Sequence, residues 1–234
     1  MNKKIFISAP QHSSKMYAFN DWLFNIRNFT YKNIEIFLAD NSDTEDNSIL
    51  INSFGVNCSW VMPSKDDTVF DRICNSHNVC RAEFLKSDCD FWLHLETDII
   101  PPINVIERLL SFEEAAVSAI YDIGTGKDRH LMVQLIDEHH KDVQAYRTTQ
   151  FVEQEDEPIF LDGTCKKVFQ CGLGCILLSR EIVSMVKFRI IKDINASADT
   201  YFFNDLWKKN IDVFIDTNTS CKHLNEDWQY ITQN

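Results

Sequence analysis

Phe91-Trp92-Leu93-His94-Leu95-Glu96-Thr97-Asp98 is the stretch on which the reading of this chain turns. The run behind the acids is largely apolar and short enough for a buried strand, and Ile99-Ile100-Pro101-Pro102 follows at once. Paired prolines lack the N–H that a ladder needs and are tolerated in the first turn of a helix, so they close the strand and open what comes next. Glu96 and Asp98 are therefore expected at a strand's exit, facing a crevice. Two hard oxygen donors separated by one residue suit Mg2+ or Mn2+ bridging a substrate diphosphate. Acids also gather at strand ends simply because loops are polar, so the choice falls to the rest of the chain.

With 234 residues, 44% of them hydrophobic, there is material for one sizeable core, or two lobes sharing a sheet, and hardly for two independent domains. No apolar run approaches membrane-spanning length. Ile5-Phe6-Ile7 after Lys3-Lys4 is too short for a signal-peptide core and reads as a first strand, which makes the expected location cytoplasmic. Eight cysteines lie within apolar strand or helix patterns with no export signal beside them, which favours reduced, mostly buried thiols over disulfides. Cys171 and Cys175 lack a second pair at zinc-finger spacing, which disfavours a structural zinc. A net charge of -12 argues against a broad electrostatic grip on nucleic acid. It suits an enzyme that recruits a divalent cation to screen its own carboxylates from a diphosphate.

Alternation from Lys4 to Ala9 predicts a first strand, and Met16, Phe19, Trp22, Leu23 and Ile26 predict the helix after it. Ile34 to Ala39 predicts a second strand running into the turn formers Asp40-Asn41-Ser42-Asp43, with Leu50, Ile51 and Phe54 as the inner face of the next helix. Val56 to Val61 is a weaker third strand, and a helix is expected from about Phe70 to Lys86 before the acid-bearing strand. Such alternation indicates a largely parallel, doubly wound sheet, whose ligands sit beyond the carboxyl ends of the strands. Asp40 and Glu96-Thr97-Asp98 occupy two such ends, so one pocket would hold both. Further on, a helix is expected over Ile103 to Phe112 and strands over Ala116 to Tyr121 and Leu131 to Ile136. A charged insertion from Asp137 to Asp162 follows, then regular pieces at Val168-Phe169-Gln170 and Ile176-Leu177-Leu178 and a helix from Ser179. Another helix, Asp199 to Lys209, and a closing strand, Val213-Phe214-Ile215, complete the pattern.

In order, these segments resemble a GT-A-fold nucleotide-sugar-dependent glycosyltransferase, family 2-like. The resemblance covers most of the chain. It rests on Ile36 to Ser42 as the nucleotide-binding strand end, Asn78-Val79-Cys80-Arg81-Ala82 on the helix preceding the acid-bearing strand, and Phe91 to Asp98 as the Asp-x-Asp-type strand. It continues with Cys171 to Leu178 as the glycine-bearing acceptor-side segment, Ala198-Asp199-Thr200-Tyr201-Phe202-Phe203 as the catalytic-acid helix, and Cys221-Lys222-His223 where the family often has a late metal-binding histidine.

The resemblance implies an α/β fold, GT-A-like or Rossmann-like, with a mostly parallel central sheet flanked by helices. It implies a single catalytic domain over 1–234, about 1–100 binding the nucleotide sugar and about 101–234 the acceptor. The implied reaction is metal-dependent transfer from a nucleotide diphosphate donor, expected to be UDP-linked, to a hydroxyl of a glycan, protein or modified nucleic acid, with Mn2+ or Mg2+ as cofactor. Asp40 resembles the acid that contacts the uracil or ribose, and Asn78 and Glu96 are the other expected donor contacts. Asp98 resembles the metal ligand proper and His223 a further ligand. Glu96 replaces the first Asp of the usual motif; one methylene longer, it would reach the metal, a metal-bound water or the ribose. Asp199 is the expected general base of an inverting transfer, Asp205 its backup, and Ala198 stands where the family often has Glu. Arg72, Lys65 and Arg81 are candidate diphosphate contacts. Gly172 and Gly174 serve either close approach to a ligand or tight strand packing. Glu96 and Ala198 also leave open a catalytically degenerate binding protein. A sugar nucleotidyltransferase would carry a glycine-rich, arginine-containing loop where this chain has Ser8-Ala9-Pro10-Gln11-His12. There is no nucleophile elbow, and the adjacent His139-His140 would point apart rather than share a zinc ion.

Overall fold

Strand residues that are apolar on both faces must be covered on both, and the first strand illustrates this. Phe6 packs with Phe37, Phe84 and Trp92 on one side, while Ile5 and Ile7 pack with Phe19, Trp22, Leu38 and Leu93 on the other. The computed structural model describes residues 3–124, 126–136, 149–191 and 196–225, so Glu138 to Asp142, with His139 and His140, lie outside the described residues.

The first half runs β1 (Ile5–Gln11), a 3-10 turn (Ser13–Lys15), α1 (Met16–Arg27), β2 (Ile34–Asp40), α2 (Asp46–Ser53), β3 (Asn57–Trp60), α3 (Val69–Lys86) and β4 (Phe91–Leu95). A capping box, Thr68 with Asp71, starts α3. Then come β5 (Ile99–Ile100), α4 (Val105–Leu110), β6 (Ala116–Ile120), β7 (Asp122–Ile123), β8 (His130–Leu131), β9 (Gln134–Ile136) and β10 (Thr149–Phe151). The last part holds α5 (Glu157–Phe160), β11 (Cys165–Val168), β12 (Cys175–Ser179), α6 (Arg180–Met185), α7 (Ala198–Lys208), β13 (Val213–Ser220) and β14 (Lys222–His223).

Eight strands form the central sheet in the order β11-β13-β6-β12-β4-β1-β2-β3. β4, β1, β2 and β3 are parallel neighbours, as are β13 and β6, whereas β12 runs antiparallel between β4 and β6 and β11 antiparallel to β13. This is the mostly parallel, helix-flanked α/β sheet that the sequence predicts. Strands from the first hundred residues fill one end of it and later strands the other, with the β4–β12 pair between them.

Some expectations shift. Leu50 and Phe54 are 47% and 38% exposed, and Ile51 turns inward together with Asn47, which a 2.8 Å hydrogen bond to Asp40 draws in. The expected strand over Leu131 to Ile136 is two strands, because Val133 N donates to Leu131 O and the chain turns there. The expected closing strand Val213-Phe214-Ile215 extends to eight residues and lies inside the sheet, between β11 and β6. Asp216 within it is fully buried, which its two-point pairing with Arg108 at 2.7 and 3.0 Å makes tolerable. All eight cysteines are free thiols, and burial first of all pushes those of Cys58, Cys80 and Cys171 up to about 12, which makes them unreactive. No helix among the described residues is long and apolar enough to cross a membrane.

Candidate active site

Because β4, β1 and β2 run side by side in one direction, their carboxyl ends lie along one edge of the sheet. Gln11 ends β1 opposite Asp40, and its side-chain oxygen accepts the hydroxyl of Thr97, which ties the acid-bearing turn to the neighbouring strand. Asp40 is fully buried. Its Oδ1 accepts Ser42 Oγ at 2.6 Å and Asn47 Nδ2 at 2.8 Å, while Oδ2 is buried without a hydrogen bond. A carboxylate oxygen in that state calls for a donor such as a nucleoside N–H or hydroxyl.

Lys15, at the end of the turn after β1, donates to Glu96 Oε2 at 2.9 Å and to Asp98 Oδ1 at 3.0 Å. On the other side of Asp98, β14 pairs with β5 so that His223 lies opposite Ile99, next in sequence to the acid. His223 Nε2 stands 3.6 Å from Asp98 Oδ2, and Nδ1 meets the Asp122 carbonyl at 2.6 Å. A carbonyl only accepts, so Nδ1 carries a proton and Nε2 is the nitrogen that faces Asp98. Burial opposes charge on both groups, but their contact, with Lys15 nearby, overrides it. The Asp98 carboxyl is held down at about 2 and the His223 imidazole is raised.

A buried carboxylate oxygen that accepts no hydrogen bond, facing an imidazole nitrogen, is a donor pair that fits a first-row divalent cation. Glu96 does not converge with them; its Oε2 turns to Lys15. Among the described residues the one convergence of three possible donors is Glu35, Asp88 and Cys89, by the amino ends of β2 and β4, where Lys4 already pairs with both acids.

Asp199 sits in the first turn of α7. Burial first, and the negative charge of Glu96 second, raise its carboxyl to about 6. Tyr121 is buried beside the same charges, and its hydroxyl accepts Gly174 N at 2.9 Å while its ring meets His223 edge-on. Glu96 N in turn donates to Gly174 O at 3.0 Å. This explains both glycines as packing devices. A Cβ on Gly174 would come within 2.5 Å of Tyr121 Cζ, and Gly172 has φ +64° and also faces that ring.

The structure thus brings together Asp98 and His223 and links Glu96 to Asp98 through Lys15; Glu96's charge reaches Asp199, and Asp40 lies on the same edge of the sheet. Asn78 is used elsewhere: it donates to Phe188 O at 2.9 Å and accepts Phe188 N at 3.2 Å. Arg81 binds the Val183 and Val186 carbonyls, Arg72 pairs with Asp43, and Asp205 is held two-point by Arg189. Sequence reasoning missed Lys15 and Tyr121. The available signal for Lys15 was its place in the strand-to-helix turn at the ligand edge of a parallel sheet.

No family model matches the chain, and no curated protein matches it by sequence. Solved structures are similar to it. A197 from STIV shares 15% identity at TM-score 0.51, over 94% of this chain and 85% of that one. GalNAc-T7, solved with UDP, GalNAc and Mn2+, shares 10% at TM-score 0.62, over 94% of this chain and 44% of its own. The mannosyltransferase PcManGT from Pyrobaculum calidifontis, solved with GDP-Man and Mn2+, shares 11% at TM-score 0.62, over 98% and 59%. This chain spans about half the length of those two transferases. At such identities the likeness speaks to architecture, and the architecture is that of the GT-A glycosyltransferases: this chain has their fold.

Proposed function

We propose that the chain is a glycosyltransferase that moves a sugar from a nucleoside diphosphate donor, UDP-linked in our reading, to an acceptor hydroxyl with a divalent cation, Mn2+ or Mg2+. The observation that carries this reading is the strand-edge pair of Asp98 and His223, 3.6 Å apart, beside a carboxyl held near 6 at Asp199. Asp98 and His223 would hold the cation, and Glu96 would act towards the ribose or a metal-bound water. When bound, the cation supplies positive charge to the departing diphosphate.

Asp199 does the proton work. Above pH 6 it is ionised, and it is more basic than an ordinary aspartate, so it accepts the proton of the acceptor hydroxyl as that oxygen forms its bond to the anomeric carbon. The bond from that carbon to the diphosphate oxygen breaks, the nucleotide leaves with those electrons, and the sugar inverts. Asp40 Oδ2 accepts from the base or ribose. The first hundred residues or so serve the donor and the remainder the acceptor, and we place the reaction in the cytoplasm. Calorimetric titration with UDP tests this directly: binding should be weak without metal and at least about tenfold tighter with Mn2+. UDP affinity that is indifferent to metal would count against it.

A further inference from the structure

Lys15 is not one of the expected site residues, yet it donates to both acids of the turn after β4. We propose that Lys15 and the divalent cation compete for this acidic pair: Lys15 offsets one of the two negative charges of Glu96 and Asp98 in the free protein, and is released to the donor's diphosphate when the metal binds.

The argument starts from charge. Asp98 is fully buried, and Glu96 lies two residues from it, so the pair is costly to keep ionised without a cation. The ammonium at 2.9 and 3.0 Å provides that cation, and burial opposes its charge while the two acids restore it and raise the group above its usual range. Asp98 presents its other oxygen to His223. A dication held by Asp98 and His223 would share the Asp98 carboxylate with Lys15, and the side chains of Asp98 and His223 are both buried, so water would do little there to screen the two positive charges. Lysine is the residue suited to yield, being a point charge on a flexible four-carbon stem. The diphosphate of the donor is the natural destination, since Arg72 and Arg81 are already engaged.

This inference rests on the metal-dependent reading, and the test separates the two. Mn2+ is titrated calorimetrically, without nucleotide, into the wild-type chain, Lys15→Met and Asp98→Asn, and UDP is then titrated at saturating Mn2+. Lys15→Met should bind Mn2+ about tenfold tighter or more and UDP about tenfold more weakly, because a neutral side chain neither repels the metal nor meets the diphosphate. Asp98→Asn should lose Mn2+ binding. Melting curves with and without Mn2+ accompany the titrations, and Lys15→Gln, which keeps one donor for the acids, substitutes if the methionine variant does not fold. Mn2+ affinity in the neutral variants equal to or below wild type overturns the competition and leaves the metal-dependent reading standing. Unchanged UDP affinity overturns the release to diphosphate. Absence of Mn2+ binding in every variant, with or without UDP, overturns both.

Discussion

As the proposed base, Asp199 would work for function against stability. Its carboxyl titrates near 6 in the folded chain against 3.8 in the unfolded one, so the native state binds the extra proton between those values. Its contribution to stability is therefore whole below pH 3.8 and is lost as pH rises through 6. At pH 8, Asp199→Asn should raise the melting temperature by several degrees, corresponding to roughly 1–3 kcal/mol, with a smaller gain at pH 5. The same change should lower turnover by roughly two to four orders of magnitude while sparing donor binding. Equal activity in Asp199→Asn, with loss in Asp205→Asn, would move the base to Asp205, which Arg189 holds at two points. Asp98→Ala should stay folded and lose metal-dependent UDP binding, and His223→Ala should weaken metal binding less, since water can replace one neutral ligand. Asp98, His223 and Asp199 could be singled out as candidates from the sequence because each sits beside a marked element boundary. Lys15 was not, since its meaning depends on acids 81 and 83 residues away and a lysine in a polar turn has no periodicity to betray it.

At the scale of elements, the glycine-bearing segment before β12 is a mould for the Tyr121 ring. Gly174→Ala should destabilise the chain by about 2–4 kcal/mol, since the new methyl group meets an aromatic ring that is itself fully packed. In a Tyr121→Ala background the same substitution should cost much less, and thermal denaturation of the four proteins of that cycle measures the difference. Additive losses would mean that the glycines serve something other than the ring. The first four strands and three helices were readable because their apolar spacing is regular. The boundaries after residue 120 were less so, for two physical reasons. β7, β8 and β14 are only two residues long, too short for a period, and β13 carries the buried Asp216, whose partner Arg108 lies 108 residues away, outside any local window.

Across the whole molecule, a second buried group carries an acid sensitivity opposite to that of Asp199. His77 and His94 lie in the interior joined Nδ1 to Nε2 at 3.1 Å, His94 also bonding the Leu173 carbonyl and His77 stacking on Phe188. Burial first of all holds both below their usual range, His94 at about 4. Here the unfolded chain binds the extra protons, so stability is complete above pH 6.5 and is lost as pH falls towards 4. The melting temperature should drop steeply over that window, and His94→Asn, which keeps a donor for Leu173, should flatten the drop. An unchanged slope would place the acid-sensitive group elsewhere. The α/β class and the order of elements followed from the alternation of strands and helices, but the antiparallel insertion of β12 could not. Its residues are as apolar as those of any parallel neighbour, and strand direction leaves no mark on composition.

The seam where β12 joins β4 also bears on how the chain is made. β4 is complete by Leu95, while its partner begins at Cys175, some eighty residues later. During synthesis the four strands β4, β1, β2 and β3 can assemble first, leaving one flank of β4, with Trp92 and Leu93, as an open template until the rest of the chain emerges. A nascent chain stalled before Cys175 presents that hydrophobic edge to its neighbours on the polysome, so the yield of folded protein should depend on uninterrupted translation across this interval.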